Sequence, residues 1–157
     1  MVRAAALILL VAVRPILADD YAAPGGGLMA KVGTAAPPSC ESVVEISAGS
    51  SVIGRESYAS DNHDNGSCVA HAGWSPDSKF FVFSLQNSGG HQPWDSPIVV
   101  FSVEKKSFID LEDVDSAITD PNFTLSAPSL LEYEMTKLPV DENKPKRQRF
   151  DLKALRG

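Results

Sequence analysis

GWSPDSKFFVFSL at residues 73–85, followed after a loop by IVVFSV at 98–103, decides how this chain folds. Side chains of an extended strand alternate between its two faces. In the first run Phe81, Phe83 and Leu85 point one way and Phe80 and Val82 the other. In the second, Ile98 and Val100 oppose Val99, Phe101 and Val103. A sheet with one wet face would alternate apolar with polar residues. Both runs are apolar on both faces, so they belong in the middle of a sheet covered on each side. Burying one phenylalanine is worth about 1.5–3 kcal/mol, so an open face would be costly. A second sheet, a neighbouring unit or a partner must supply the cover.

Outward from this pair the pattern stays β-rich. ESVVEIS (41–47), SVIGRES (51–57) and CVAHAGW (68–74) are short runs with extended character. Ser75-Pro76-Asp77-Ser78 reads as a turn, with Pro presetting φ and Asp suiting the next position. QNSGGHQPWDSP (86–97) is a loop, Glu104-Lys105-Lys106 a turn, and Ser107–Leu111 a returning strand. LLEYEMT (130–136) alternates as an outer strand should, and Arg149–Leu152 is placed to add a last one. EDVDSAI (112–118) could give one short helical turn. Residues 19–39, with Gly25-Gly26-Gly27 and Pro37-Pro38, read as a flexible leader, and residues 139–157 as a basic C-terminal tail. The expected fold is all-β: a small antiparallel sheet or sandwich over residues 40–138, with flexible termini.

The chain has 157 residues and a formal charge of −6. That length suits about one domain, and the composition excludes a collagen-like, highly charged disordered or disulfide-dense chain. MVRAAALILLVAVRPILA (1–18) has Arg3 followed by an apolar run from Ala4 to Val13. Such a run fits a secretory signal, and is too short for a membrane span of about 20 residues. Cleavage after Ala18 leaves a net charge of −8, made of +5 over residues 144–157 and −13 over the rest. An acidic body argues against nucleic-acid binding, which requires neutralising phosphates. Stable membrane insertion is not expected after cleavage. The localisation expected is secreted or periplasmic.

Export exposes the chain to an oxidising compartment. Cys40 and Cys68 are its only cysteines, so one bridge is the simplest reading, with two free thiols or a metal site as alternatives. A loop of 28 residues would gain about 3.5 kcal/mol in the chain-entropy treatment.

Gly73-Trp74-Ser75-Pro76-Asp77-Ser78-Lys79, leading into Phe80–Ser84, resembles the WD40-like β-propeller repeat of TolB-type proteins, which also occurs in prolyl-oligopeptidase-like enzymes. The resemblance covers about residues 72–111, with Trp74, Ser75, Pro76 and Asp77 carrying the motif and Pro97–Val103 filling the following strand. It implies a single blade-like unit and a binding or assembly role rather than chemistry. Ser78 stands where that family usually has Gly; in a left-handed conformation this would cost about 1 kcal/mol. A blade takes roughly 40–45 residues and a propeller at least four blades, so a self-closed propeller does not fit in this chain.

The loop 86–97 places His91, Gln92, Trp94 and Asp95 within five residues, after Gly89-Gly90, with Pro93 and Pro97 stiffening the exit. Preorganised loops on rigid strands are where binding groups collect. With His71 these residues are the candidate contacts for a protein partner or small ligand; the competing reading has Trp94 capping the core and His91 bonding the loop itself. Asp61-Asn62-His63-Asp64-Asn65-Gly66 is similar to a calcium loop. His63 stands where an oxygen donor is needed, however, and Ala72 where the helical calcium loop has Glu, which favours a polar turn leading into Cys68. His63, His71 and His91 lack zinc-site spacing, and no G-x-S-x-G nucleophile motif is present. No metal and no cofactor is expected. Asn65-Gly66-Ser67 and Asn122-Phe123-Thr124 match the glycosylation sequon. The reading is an exported, non-catalytic β protein binding through loop 86–97. The alternatives are a small metal-dependent or hydrolytic enzyme using His71, His91 and Asp95, and a structural fragment of a larger propeller. The sequence does not fix the oligomeric state.

Overall fold

A computed structural model describes residues 18–89, 95–111, 116–137 and 144–155. The described chain is all-β, apart from one 3-10 turn at Leu152–Ala154. Its twelve strands form three four-stranded antiparallel sheets in chain order. The first contains β1 (Ala18–Ala22), β2 (Leu28–Thr34), β3 (Ser42–Ala48) and β4 (Ser51–Ser57) in sequential order. The second contains β5 (Ser67–Trp74), β6 (Phe80–Asn87), β7 (Ile98–Ser102) and β8 (Ser107–Leu111). The third is centred on β11 (Leu130–Lys137), with β12 (Lys146–Asp151) on one edge and β9 (Ser116–Ile118) and β10 (Thr124–Ser126) end to end on the other.

The middle sheet is covered on both faces. Phe81, Phe83, Leu85, Val99 and Phe101 pack with Ala30, Val32, Val44 and Ile46 of the first sheet. Phe80, Val82, Ile98 and Val100 pack with Ile118, Phe123, Leu131 and Leu152 of the third. These are the two face sets expected from the sequence, and all of β7 is buried. Aromatic packing concentrates on the first-sheet side, where Trp74 and Phe81 lie 5.2 Å apart and Phe101 and Phe108 4.8 Å apart between ring centroids.

The turn before β6 is built as its residues dictate. Ser78 N–H donates to Ser75 O at 2.8 Å, Ser75 Oγ donates to Asp77 Oδ1 at 2.7 Å, and Phe80 N–H donates to Ser75 Oγ at 3.1 Å. Asp77 is thus held within its turn. The blade-like segment 72–111 falls within the middle sheet, but three four-stranded sheets do not show a propeller repeat.

Four sequence expectations differ from the structure. Residues 19–39 are not a structureless leader: β1 and β2 form a hairpin that continues the first sheet. Gly26 and Gly27 take φ of 74° and 75°, which makes their run a hairpin turn rather than a tether. Ala30 and Val32 of β2 are buried in the core, and Trp74 Nε1 donates to Tyr21 O at 2.8 Å. Residues 144–155 are not a loose tail. β12 runs along β11 with Arg149 paired to Glu132, and Leu152 is fully buried. β6 runs on to Asn87, so loop 86–97 begins two residues later than its composition suggests. Of the segment 112–118, Ser116–Ile118 is strand rather than helical turn, and residues 112–115 lie outside the described set.

Candidate functional site

Cys40 and Cys68 are joined, with their Cα atoms 5.4 Å apart. The bridge ties Cys40, two residues before β3, to the second residue of β5, fastening the first sheet to the second. Ser42 reinforces the same seam through its Oγ, which accepts from Val69 N–H at 3.0 Å, while its carbonyl accepts from Tyr58 N–H at 2.9 Å and extends the β3–β4 pairing.

Between these two residues lies Glu41, with no exposed surface. A buried carboxylate needs donors to replace water. Glu41 Oε1 accepts from Gly66 N–H at 2.5 Å, Ser88 Oγ at 2.8 Å and Ser60 Oγ at 2.9 Å. Oε2 accepts from Ser60 N–H at 3.0 Å, and His63 Nδ1 stands 3.3 Å away. Burial alone would raise this carboxyl's pKa. The Gly66 N–H, with the Ser88 and Ser60 donors, outweighs burial and holds it at about 2. Glu41 is therefore ionised throughout the physiological range. Gly66 must be glycine, because a Cβ there would run into the Glu41 carboxyl and the Tyr58 carbonyl.

The segment Asp61–Gly66 thus reverses the electrostatic sense of a calcium loop. The backbone amide of Ser60, just before it, and that of Gly66, at its end, converge on an anion supplied by the protein itself. Asn62 Oδ1 accepts from Ser60 Oγ and Asp64 N–H, and Asn65 N–H donates to Ser60 Oγ. His63 takes a left-handed φ of 58° and is 44% exposed.

These fastened segments wall an open cleft of about 730 Å³. Ala36, Pro37, Pro38, Ser39 and Cys40 form one side, and residues 62–65 with Ser88 and Gly89 form the other. Neither wall carries a Lys or Arg.

Of the residues singled out from the sequence, His91, Gln92 and Trp94 lie outside the described residues. Asp95 is half-buried ahead of β7. His71 is exposed on β5, opposite Ser84, and its ring meets the edge of Phe123 at 4.5 Å. It therefore faces the third sheet, whereas the cleft lies at the seam with the first. No group of three or more His, Cys, Asp or Glu suited to a metal occurs among the described residues. Sequence reasoning missed Glu41. The one signal that could have found it is the cysteine pairing, which brings its neighbour up to the amide-rich loop before Cys68.

No protein-family model matches this sequence, and no curated protein matches it. Among solved structures, the fold is similar to a protein of Clostridium novyi NT described as a "putative conserved lipoprotein". The TM-score is 0.53 at 9% identity, over 89% of this chain and 90% of that one. The likeness is one of fold. No helix among the described residues is long and apolar enough to cross a membrane.

Proposed function

We propose that this chain is an exported, non-catalytic β protein that binds a protein partner or small ligand in the cleft bounded by residues 36–40, 62–65 and 88–89, together with the adjoining loop 86–97. The leader at 1–18 and the Cys40–Cys68 bridge support export, since such bridges persist in oxidising compartments. The description of the similar clostridial protein agrees with an envelope setting.

The observation that carries the binding reading is the Glu41 carboxylate. One buried anion gathers the start of β3, the 60–66 loop and the end of the β6 hairpin arm. The walls are then fixed before any ligand arrives, which removes part of the ordering cost of binding. Titration of the ¹⁵N-labelled chain without residues 1–18 tests this, using trilysine, triglutamate, trialanine and N-acetylglucosamine as probes. At least one probe is expected to shift the amides of residues 62–65 and 88–89. Shifts confined to the His71 face, or none with any probe at millimolar concentration, would reject the cleft as the binding site.

A further inference from the structure

The Cys40–Cys68 bridge borders the cleft instead of sitting in the core. Cys40 is exposed and lines the cleft wall, while Cys68 is half-buried within β5. Exposed bridges are the labile ones, because a thiolate must reach one sulfur in line with the bond. We propose that this bridge is a thiol-exchange site, opened by a dithiol that enters the cleft and attacks Cys40 Sγ. The proposal stands whether or not the cleft also takes another ligand.

The exchange balances as follows. A thiolate of the dithiol bonds to Cys40 Sγ, the Cys40–Cys68 bond breaks, and Cys68 leaves as a thiolate that takes a proton from water. The second thiol of the reagent, as thiolate, attacks the mixed disulfide and releases Cys40 as thiolate. The dithiol is oxidised to a disulfide, and the protein's cystine is reduced to two thiols.

The surroundings let this occur without unfolding. Two sets of non-covalent ties cross the same seam within two residues of the bridge. Glu41 is held by Ser60, Gly66 and Ser88, and Ser42 by Val69. None of the residues lining the cleft belongs to either core cluster. Reduction should therefore change the cleft while leaving the fold in place.

The oxidised full chain is the test material, in two arms. In the first, dithiothreitol reduction is timed in increasing sub-denaturing urea. The rate should rise in proportion to reagent and change by less than about twofold with urea. A bridge reached only by global unfolding would speed up by about fivefold or more per molar urea, and that result would overturn the proposal. In the second, glutathione is added briefly, the reaction is quenched with iodoacetamide, and the adduct is located by mass spectrometry. Glutathione should sit on Cys40, with Cys68 alkylated; an adduct confined to Cys68 would refute attack from the cleft. Amide spectra of the fully reduced chain supply the remaining check. Shifts at residues 36–41 and 60–66 with β6 and β7 unmoved are expected, and collapse of the whole spectrum would contradict a locally opened bridge.

Discussion

Ser78 occupies a position that suits glycine. Its φ is 59°, a left-handed conformation that costs a side-chain-bearing residue about 1 kcal/mol. The hydroxyl offsets that strain, since Ser78 Oγ accepts from Gly25 N–H at 2.7 Å and so ties the β5–β6 turn to the β1–β2 turn. Ser78→Gly relieves the strain and loses the bond, so it should leave stability nearly unchanged. Ser78→Ala keeps the strain and loses the bond, so it should lower stability by about 1 kcal/mol. Urea denaturation of both variants checks this, and an alanine variant as stable as the glycine one would remove the role of the hydroxyl. Glu41 has the larger part among single residues. Glu41→Gln replaces one of the two carboxylate oxygens with an NH2, setting two donors against the N–H or O–H groups which that oxygen accepted from. It should lower the melting temperature far more than Glu45→Gln on the solvent side of β3.

At the scale of the strand, β6 separates two packing problems. Phe83→Ala empties space against the first sheet and should cost about 3–5 kcal/mol; Val82→Ala empties space against the third and should cost on the order of 1–3 kcal/mol. Measurable losses from both neighbours are the signature of a strand buried on two sides, and a neutral Val82→Ala would contradict it. This strand was legible because its evidence is local: two interleaved apolar sets within six residues, with a turn at one end whose chemistry Ser75 and Asp77 announce. The β1–β2 hairpin was not legible, although Leu28, Ala30 and Val32 alternate. Gly25-Gly26-Gly27 has the composition of a flexible tether as much as of a turn, and what orders it is Trp74 and Ser78, over 50 residues away. The Glu41 site was hidden for the same reason. Its donors come from separate loops, as far off as Ser88 at a separation of 47 residues, and no spacing rule links them.

Across the whole molecule, charge is arranged by depth. The outer face of the first sheet carries a row of alternating sign, Asp20, Lys31, Glu45 and Arg55, each opposite the next across the strands. On the third sheet, Glu132 and Glu134 stand opposite Arg149 and Arg147. A neighbouring sheet stacked on either face would have to bury these charges, so both end faces are suited to water. Inside this frame two glutamates act in opposite directions on stability. Glu41 is held at about 2, below its ordinary value of 4.5. Its contribution is complete above about 4.5 and is lost as the pH falls towards 2. Glu132, lowered first by Arg149, and Asp151, lowered first by the Lys153 N–H, share that sign. Glu56 is raised, first by burial and then by Asp110. The folded chain therefore takes up this proton before the unfolded chain does. The penalty of its charge is present at neutral pH and is relieved on acidification. The melting temperature should rise slightly from pH 7 to about 5 and fall steeply below about 4. Glu56→Gln should abolish the rise and keep the fall, whereas Glu41→Gln should blunt the fall. Thermal melts of the three proteins across this range check both signs. An acid limb unchanged by Glu41→Gln would mean that the buried carboxylate does not hold the seam between the first two sheets.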